Sequence, residues 1–238
     1  MSTQQIVHWK DLGLQPYQPV WDYQEQLMQQ TTDTKRAEFE LLPAERSTTH
    51  HLLLVEHKPV YTLGKSGHLE NILISEAEMA QRGIDYFKIN RGGDITFHGP
   101  QQIVGYPILD LEKFYTDIGK YLRQLEEVII QTIGHFGIVG ARSEGETGVW
   151  IEPGVPGRER KICAMGVRCS RWITMHGWAL NVNTDLNYFN HIIPCGIQNK
   201  QVTSMEKELG APLDYELVKQ VLLTRFAEVF DVELAVMG

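Results

Sequence analysis

The chain has 238 residues, is 42 % apolar and carries a formal net charge of −8, so it is long enough for one large domain or two small ones. An acidic balance argues against nucleic-acid binding, which needs a basic face. No run approaches the roughly 18 apolar residues of a membrane helix, and Met1–Lys10 lacks the basic start and apolar run of a signal peptide. Three cysteines, Cys163, Cys169 and Cys195, are too few for a disulfide scaffold, so a reducing cytoplasm is the expected location.

His51 to Val55 and Val60 to Leu63 read as strands broken at Lys58–Pro59. Ser75 and Glu78 form a capping box and Gly83 a stop, which predicts a short helix between them. Ile118, Tyr121, Leu122, Leu125, Val128, Ile129, Ile133 and Phe136 recur at helical spacing and predict a long helix with one apolar stripe. Arg142 to Arg160, rich in Gly and Pro, reads as a long loop interrupted by Val149–Ile151. Ile162 to Arg168 and Trp172 to Val182 predict a hairpin turning near Ser170. Thr203 and Glu206 suggest another capping box with Gly210 as stop, and Val218, Val221, Leu222, Phe226, Val229 and Phe230 a final amphipathic helix. The elements mix without a regular β-α-β rhythm. The expected fold is therefore α/β or α+β with a mixed sheet and flanking helices, organised as one catalytic domain over residues 1–238.

Some motifs fail. Gly64-Lys65-Ser66 invites a phosphate-loop reading, but the glycine required five positions before Gly64 is Pro59. There is no G-x-G-x-x-G, no HExxH and no paired zinc spacing of cysteines. Cys163 and Cys169, six apart on one predicted strand, read as same-face packing.

Four segments carry possible chemistry. In Arg91–Pro100 two glycines allow close backbone approach, while Thr96 and His98 share one strand face opposite Ile95 and Phe97; a plain glycine turn entering a strand is the competing reading. Cys195 sits between proline and glycine, on a constrained turn that can expose its sulfur, and the Gly196 N–H is placed to help bind an oxyanion; a buried small hydrophobe is the alternative. Lys161 begins an apolar strand, either as a solvated strand end or as an ammonium inside a pocket, where a cation stabilises a thiolate over a thiol. In Thr174–Asn183, alternation puts Thr174, His176, Trp178 and Leu180 on one face, and the small Gly177 and Ala179 on the other leave room for a long thin ligand.

Taken together, EHKPVYTLGKS (Glu56–Ser66), RGGDITFHGP (Arg91–Pro100), GVWI (Gly148–Ile151), KICAMG (Lys161–Gly166), MHGWALNVNTDL (Met175–Leu186), IIPCGI (Ile192–Ile197) and VTSM (Val202–Met205) occur in an order that resembles the lipoyl(octanoyl) transferase family. The resemblance implies the fold of the catalytic domain shared with biotin and lipoate protein ligases. It implies Cys195 as acyl-thioester nucleophile and Lys161 as the partner that lowers its thiol pKa and relays protons. It implies a substrate channel lined by Arg91, Gly92, Gly93, Asp94, Ile95, Thr96, Phe97 and His98, with Ala164, Met165, Gly166, Gly177, Trp178 and Ala179. No metal or nucleotide cofactor is implied. The donor would be octanoyl-acyl carrier protein, and the acceptors the lipoyl domains of 2-oxoacid dehydrogenases and the glycine cleavage H protein. No membrane or nucleic-acid partner is expected, and a monomer is the default. An ATP-dependent lipoate or biotin ligase, a lipoyl-domain amidotransferase and a non-catalytic carrier-binding module are the rival readings. Three departures stand out: Gln101 where the family carries glycine, a longer loop around Glu152–Arg160, and Trp178 where leucine or phenylalanine is usual.

Overall fold

A computed structural model describes residues 4–193 and 201–237. In chain order it contains β1 (Gln5–Gln15), α1 (Tyr17–Ala37), β2 (His50–His57), β3 (Val60–Leu63), α2 (Glu76–Gln81), β4 (Asp85–Lys88), β5 (Ile95–His98), β6 (Gln102–Ile108) and α3 (Ile118–His135). There follow β7 (Ala141–Ser143), β8 (Glu146–Ile151), β9 (Arg160–Ser170), β10 (Ile173–Asn181), β11 (Gln201–Val202), α4 (Met205–Leu209), α5 (Tyr215–Phe230) and β12 (Val232–Val236).

The large sheet runs β12-β1-β2-β6-β10-β9-β8-β7, with β11 added beside β9. It is mixed: β12, β1 and β2 are parallel, and β2 through β7 pair antiparallel. A small sheet, β4-β3-β5, stands apart. The break at Lys58–Pro59 is thus where the chain leaves one sheet for the other.

Alternation along the strands assigns the two faces of the large sheet. Leu52, Leu54, Ile103 and Leu180 pack against the α3 and α5 stripes, where Leu125, Ile129, Leu222 and Phe226 are fully buried. Leu53, Val55, Val104 and Ala179 pack against α1 through Val20, Leu27 and Met28.

Several local expectations need correction. The chain between Arg142 and Arg160 is no long loop, because β7 and β8 pair within it and join β9. Glycines at positions 145 and 148, read as breakers, take left-handed φ values of 75° and 114° that tighten a hairpin. The cap of α4 is Ser204, which accepts from the Lys207 N–H, while the Thr203 hydroxyl donates to Glu208. The β9–β10 turn does fall beside Ser170 as expected, at Arg171–Trp172, both with positive φ (51° and 64°), which matches strand twist without a glycine.

β10 also breaks its own alternation. Thr174, Trp178 and Leu180 share the α3/α5 side, but His176 takes φ 58° and its ring goes to the α1 side, where Nε2 lies 2.9 Å from Asn90 Oδ1. The displaced His176 N–H donates to the buried Gln24 Oε1 on α1 at 3.0 Å.

Next to this kink the strands close up. A Cβ on Gly177 would lie 2.2 Å from the Gly105 carbonyl oxygen, and one on Gly105 would lie 2.1 Å from the Trp178 ring. Gly177→Ala is expected to cost about 3 kcal/mol or more, since backbone cannot yield as a flexible side chain can. Urea melts check this, and a wild-type midpoint would contradict the strand spacing.

Candidate functional site

Between the small sheet, the start of α1 and the α1-facing side of β6, β10 and β9 lies an open cavity. Its floor is the β9–β10 hairpin. Ala164 pairs with Ala179 and Gly166 with Gly177, so the smallest residues of both strands face the space. The glycine at 166 has a further cause: a Cβ there would lie 2.8 Å from the Gly92 carbonyl, so the Arg91–Gly93 loop sits directly on β9. The Gly92 N–H completes that seat by donating to Val167 O at 3.0 Å.

The Gly64–Ser66 turn packs against the same loop. The N–H groups of Gly64, Lys65 and Ser66 donate to the carbonyls of Asp94, Arg91 and Gly93. Those amides are committed to protein, which gives the physical reason why this glycine–lysine–serine run is not a phosphate loop. Asp94 braces the other side, accepting from the N–H groups of Ile95 and His68 and from Asn71 Nδ2 at 2.6 Å.

Arg91 is buried. Its Nη2 donates to Thr62 O at 2.7 Å and to Thr62 Oγ1 at 3.1 Å, and its Nη1 to Gly92 O at 2.9 Å. The Thr62 hydroxyl then faces His98 Nε2 at 3.3 Å, and His98 Nδ1 lies 3.0 Å from Gln102 Oε1. Gln102 Nε2 donates to Phe97 O and to Asn181 Oδ1, so its oxygen is the acceptor. The network assigns the His98 proton to Nδ1, leaving Nε2 to accept from Thr62. Asn181 extends the chain by donating to Thr203 O.

The histidines here are neutral. Burial, reinforced by His57 and Arg91, holds His98 well below its ordinary value. Burial lowers His57 to about 4 and, with Arg91 and Arg168, His176 to about 3. Burial likewise pushes the Tyr106 hydroxyl, 2.8 Å from His57 Nε2, above the usual phenol range. The cavity is thus a small-residue slot walled by neutral imidazoles and phenols around one guanidinium.

Of the residues singled out from sequence, the structure brings Arg91, Gly93, Asp94, Ile95, Thr96, His98, Lys161, Ala164, Met165, Gly166, Gly177, Trp178 and Ala179 to this cavity. Gly92 and Phe97 are not on its wall. Gly92 is spent on β9, and Phe97 stacks on Tyr188 at 4.5 Å between ring centroids, behind β5. Trp178 borders the cavity, but its indole packs in the helical core against Phe226 and Gly105. Cys195 and Gly196 lie outside the described residues. The described flanks on both sides reach the site: Phe189 and Val202 line the cavity, Ile193 N–H donates to Asn71 O, and Thr203 N–H to Lys161 O. Cys163 and Cys169 both pack on the α3/α5 core, and burial raises both thiols. Sequence reasoning missed Tyr17, Tyr106 and Asn181. Tyr17 and Tyr106 carried no local signal, and Asn181 is brought to Gln102 only by the order of the strands.

The sequence profile of the lipoyl protein ligase A/B catalytic domain matches residues 16–227. The chain belongs to this family. Within the family, it is 57 % identical over 226 residues to a Flavobacterium psychrophilum protein named octanoyltransferase, covering 93 % of this chain and 95 % of that one. A Christiangramia forsetii protein of the same name is 56 % identical, covering 94 % and 96 %. This kinship makes the chain an acyltransferase. The fold is that of the lipoate ligases. A lipoate-protein ligase A bound with ATP superposes with a TM-score of 0.67 at 12 % identity, covering 99 % of this chain and 90 % of that one. A bi-partite lipoate protein ligase from Thermoplasma acidophilum gives 0.67 at 14 %, covering 100 % and 88 %. Among the described residues no helix is long and apolar enough to cross a membrane, and no group of three or more His, Cys, Asp or Glu could hold a metal ion.

Proposed function

We propose that the chain is a cytoplasmic octanoyltransferase. It takes an octanoyl group from an acyl carrier protein thioester onto Cys195 and passes it to a lysine of a lipoyl domain. The observation that carries this reading is the cavity: a slot floored by glycine and alanine, with Lys161 on its wall and the flanks of residues 194–200 at its border. The shared name of the relatives supports octanoyl as the group transferred.

The Lys161 ammonium favours the Cys195 thiolate, which attacks the thioester carbonyl. Backbone N–H groups, with that of Gly196 as candidate, stabilise the oxyanion. The carbon–sulfur bond to the carrier breaks, and its thiolate takes a proton from Lys161. The acceptor amine then attacks the acyl-Cys195 thioester, Lys161 accepts the amine's proton, and an amide forms as the Cys195 thiolate is released. Thioester exchange is close to neutral and amide formation runs downhill, so no ATP is required. Each buried CH₂ contributes about 0.8 kcal/mol, so an eight-carbon chain is separated from a six-carbon one by ~1–2 kcal/mol. The acceptors on this reading are lipoyl domains of 2-oxoacid dehydrogenases and the glycine cleavage H protein.

Intact mass after mixing the protein with octanoyl-carrier protein, without ATP or acceptor, tests the reading. One added octanoyl group is expected on the wild type and none on Cys195→Ser. A folded protein that gains no adduct across pH, yet transfers free octanoate when given ATP, would be a ligase instead.

A further inference from the structure

The ladder beside Lys161 is irregular. β8 and β9 pair Val149 with Cys163 but Trp150 with Lys161, so one step along β8 crosses two residues of β9. The slip lays the buried Trp150 ring under the lysine, with Nζ 4.5 Å from the ring centroid. Two residues earlier Gly148 takes φ 114°, and a Cβ there would lie 2.6 Å from Cys163 O and 3.6 Å from Lys161 Cε. Only glycine lets β8 run this close to β9. The Gly148 N–H turns to α3 and donates to Glu126 Oε1 at 3.0 Å. Glu126 is fully buried, and its other oxygen accepts from Arg123 at 2.8 Å and Arg142 at 3.1 Å. A carboxylate paired on both oxygens is a fixed anchor rather than a free base.

We propose that Trp150 is a positioning residue for Lys161, with the Gly148 turn, pinned by Glu126, setting where its ring lies. An ammonium over an indole face is attracted by the ring quadrupole, and indole is the strongest of the aromatic faces. A lysine stem held this way keeps one direction instead of sampling many. GVWI thereby acquires a role: glycine for the close approach and tryptophan for the cation.

This inference rests on Lys161 acting in the transfer, so the test separates the two. Single-turnover acylation by octanoyl-carrier protein is measured for Trp150→Leu and Trp150→Phe, with melting curves for each. Trp150→Leu is expected to slow acylation about tenfold with KM unchanged, while Trp150→Phe, which keeps an aromatic face, stays within about threefold. In a Lys161→Ala background, Trp150→Leu should make no further difference, because the group it acts through is gone. Equal slowing in both backgrounds, a wild-type rate in Trp150→Leu, or a Trp150→Phe as slow as leucine would overturn the proposal. A wild-type rate in Lys161→Ala alone would instead remove the role assigned to the lysine.

Discussion

Lys161→Ala is expected to lower the rate of acyl-thioester formation at pH 7 by about 10²–10⁴-fold, the range that a positioned general acid–base supplies. Both of its assigned tasks are lost at once: the charge that favours the Cys195 thiolate and the proton exchanged with leaving thiol and entering amine. Lys161→Arg divides these tasks. A guanidinium keeps the charge but does not give up its proton near neutral pH. The acyl-enzyme should therefore still form in that variant, while transfer to the lipoyl-domain lysine is slow, so that the octanoyl adduct accumulates. Quenched-flow mass spectrometry resolves the two steps. Wild-type acylation by Lys161→Ala would dismiss the pairing of Lys161 with Cys195.

Mild acid is expected to unfold the protein. Burial lowers His57 and His51 to about 4 and His50 and His176 to about 3, and holds His98 far down as well. In the unfolded chain each of these titrates near 6.5. Above that pH both states are neutral and the full stability is present. Between 6.5 and the folded value the unfolded chain binds more protons, so stability falls as pH falls. His57 alone, moved from 6.5 to about 4, accounts for about 3 kcal/mol by pH 4. Several such groups against a total stability of about 5–15 kcal/mol leave little below pH 5. Urea melts from pH 8 to 5 check this, and His57→Gln should flatten the slope. A midpoint constant over that range would mean that the imidazoles are not buried as neutral groups.

The long periodic elements were legible because their burial is apolar. The α3 and α5 stripes, the β9–β10 hairpin and the Ser75–Glu78 cap all stand in the structure where composition and spacing put them. The first helix was not legible. Its buried face, Tyr17, Val20, Gln24, Leu27, Met28 and Thr31, has helical spacing, but two of its six members are polar and a run of glutamines blurs the rest. Gln24 is there for a reason no local pattern displays: it satisfies the His176 N–H turned out by a left-handed residue on a strand far along the chain. β8 was hidden for the opposite reason, because its glycine is a device for close strand approach and reads locally as a breaker. Within the site, Thr96 and His98 were legible from alternation, whereas the Gln102–Asn181–Thr203 chain depends on strand order. Gln101 shows how a departure can be absorbed: it takes φ 61°, a glycine-favouring conformation, and its main-chain oxygen accepts from Val182, Asn183 and Thr184.

The floor of the slot sets a direction for change. Gly166 and Gly177 have no side chain to give up, Ala164 and Ala179 only a methyl group each, and Gly177 abuts the neighbouring backbone. A substitution there can add atoms but scarcely remove any. At Gly166 and Gly177 added atoms meet main chain rather than the slot, at the Gly92 and Gly105 carbonyls. The floor of the slot is therefore raised more readily than lowered, and Ala164 and Ala179 are the positions where a larger side chain would do so.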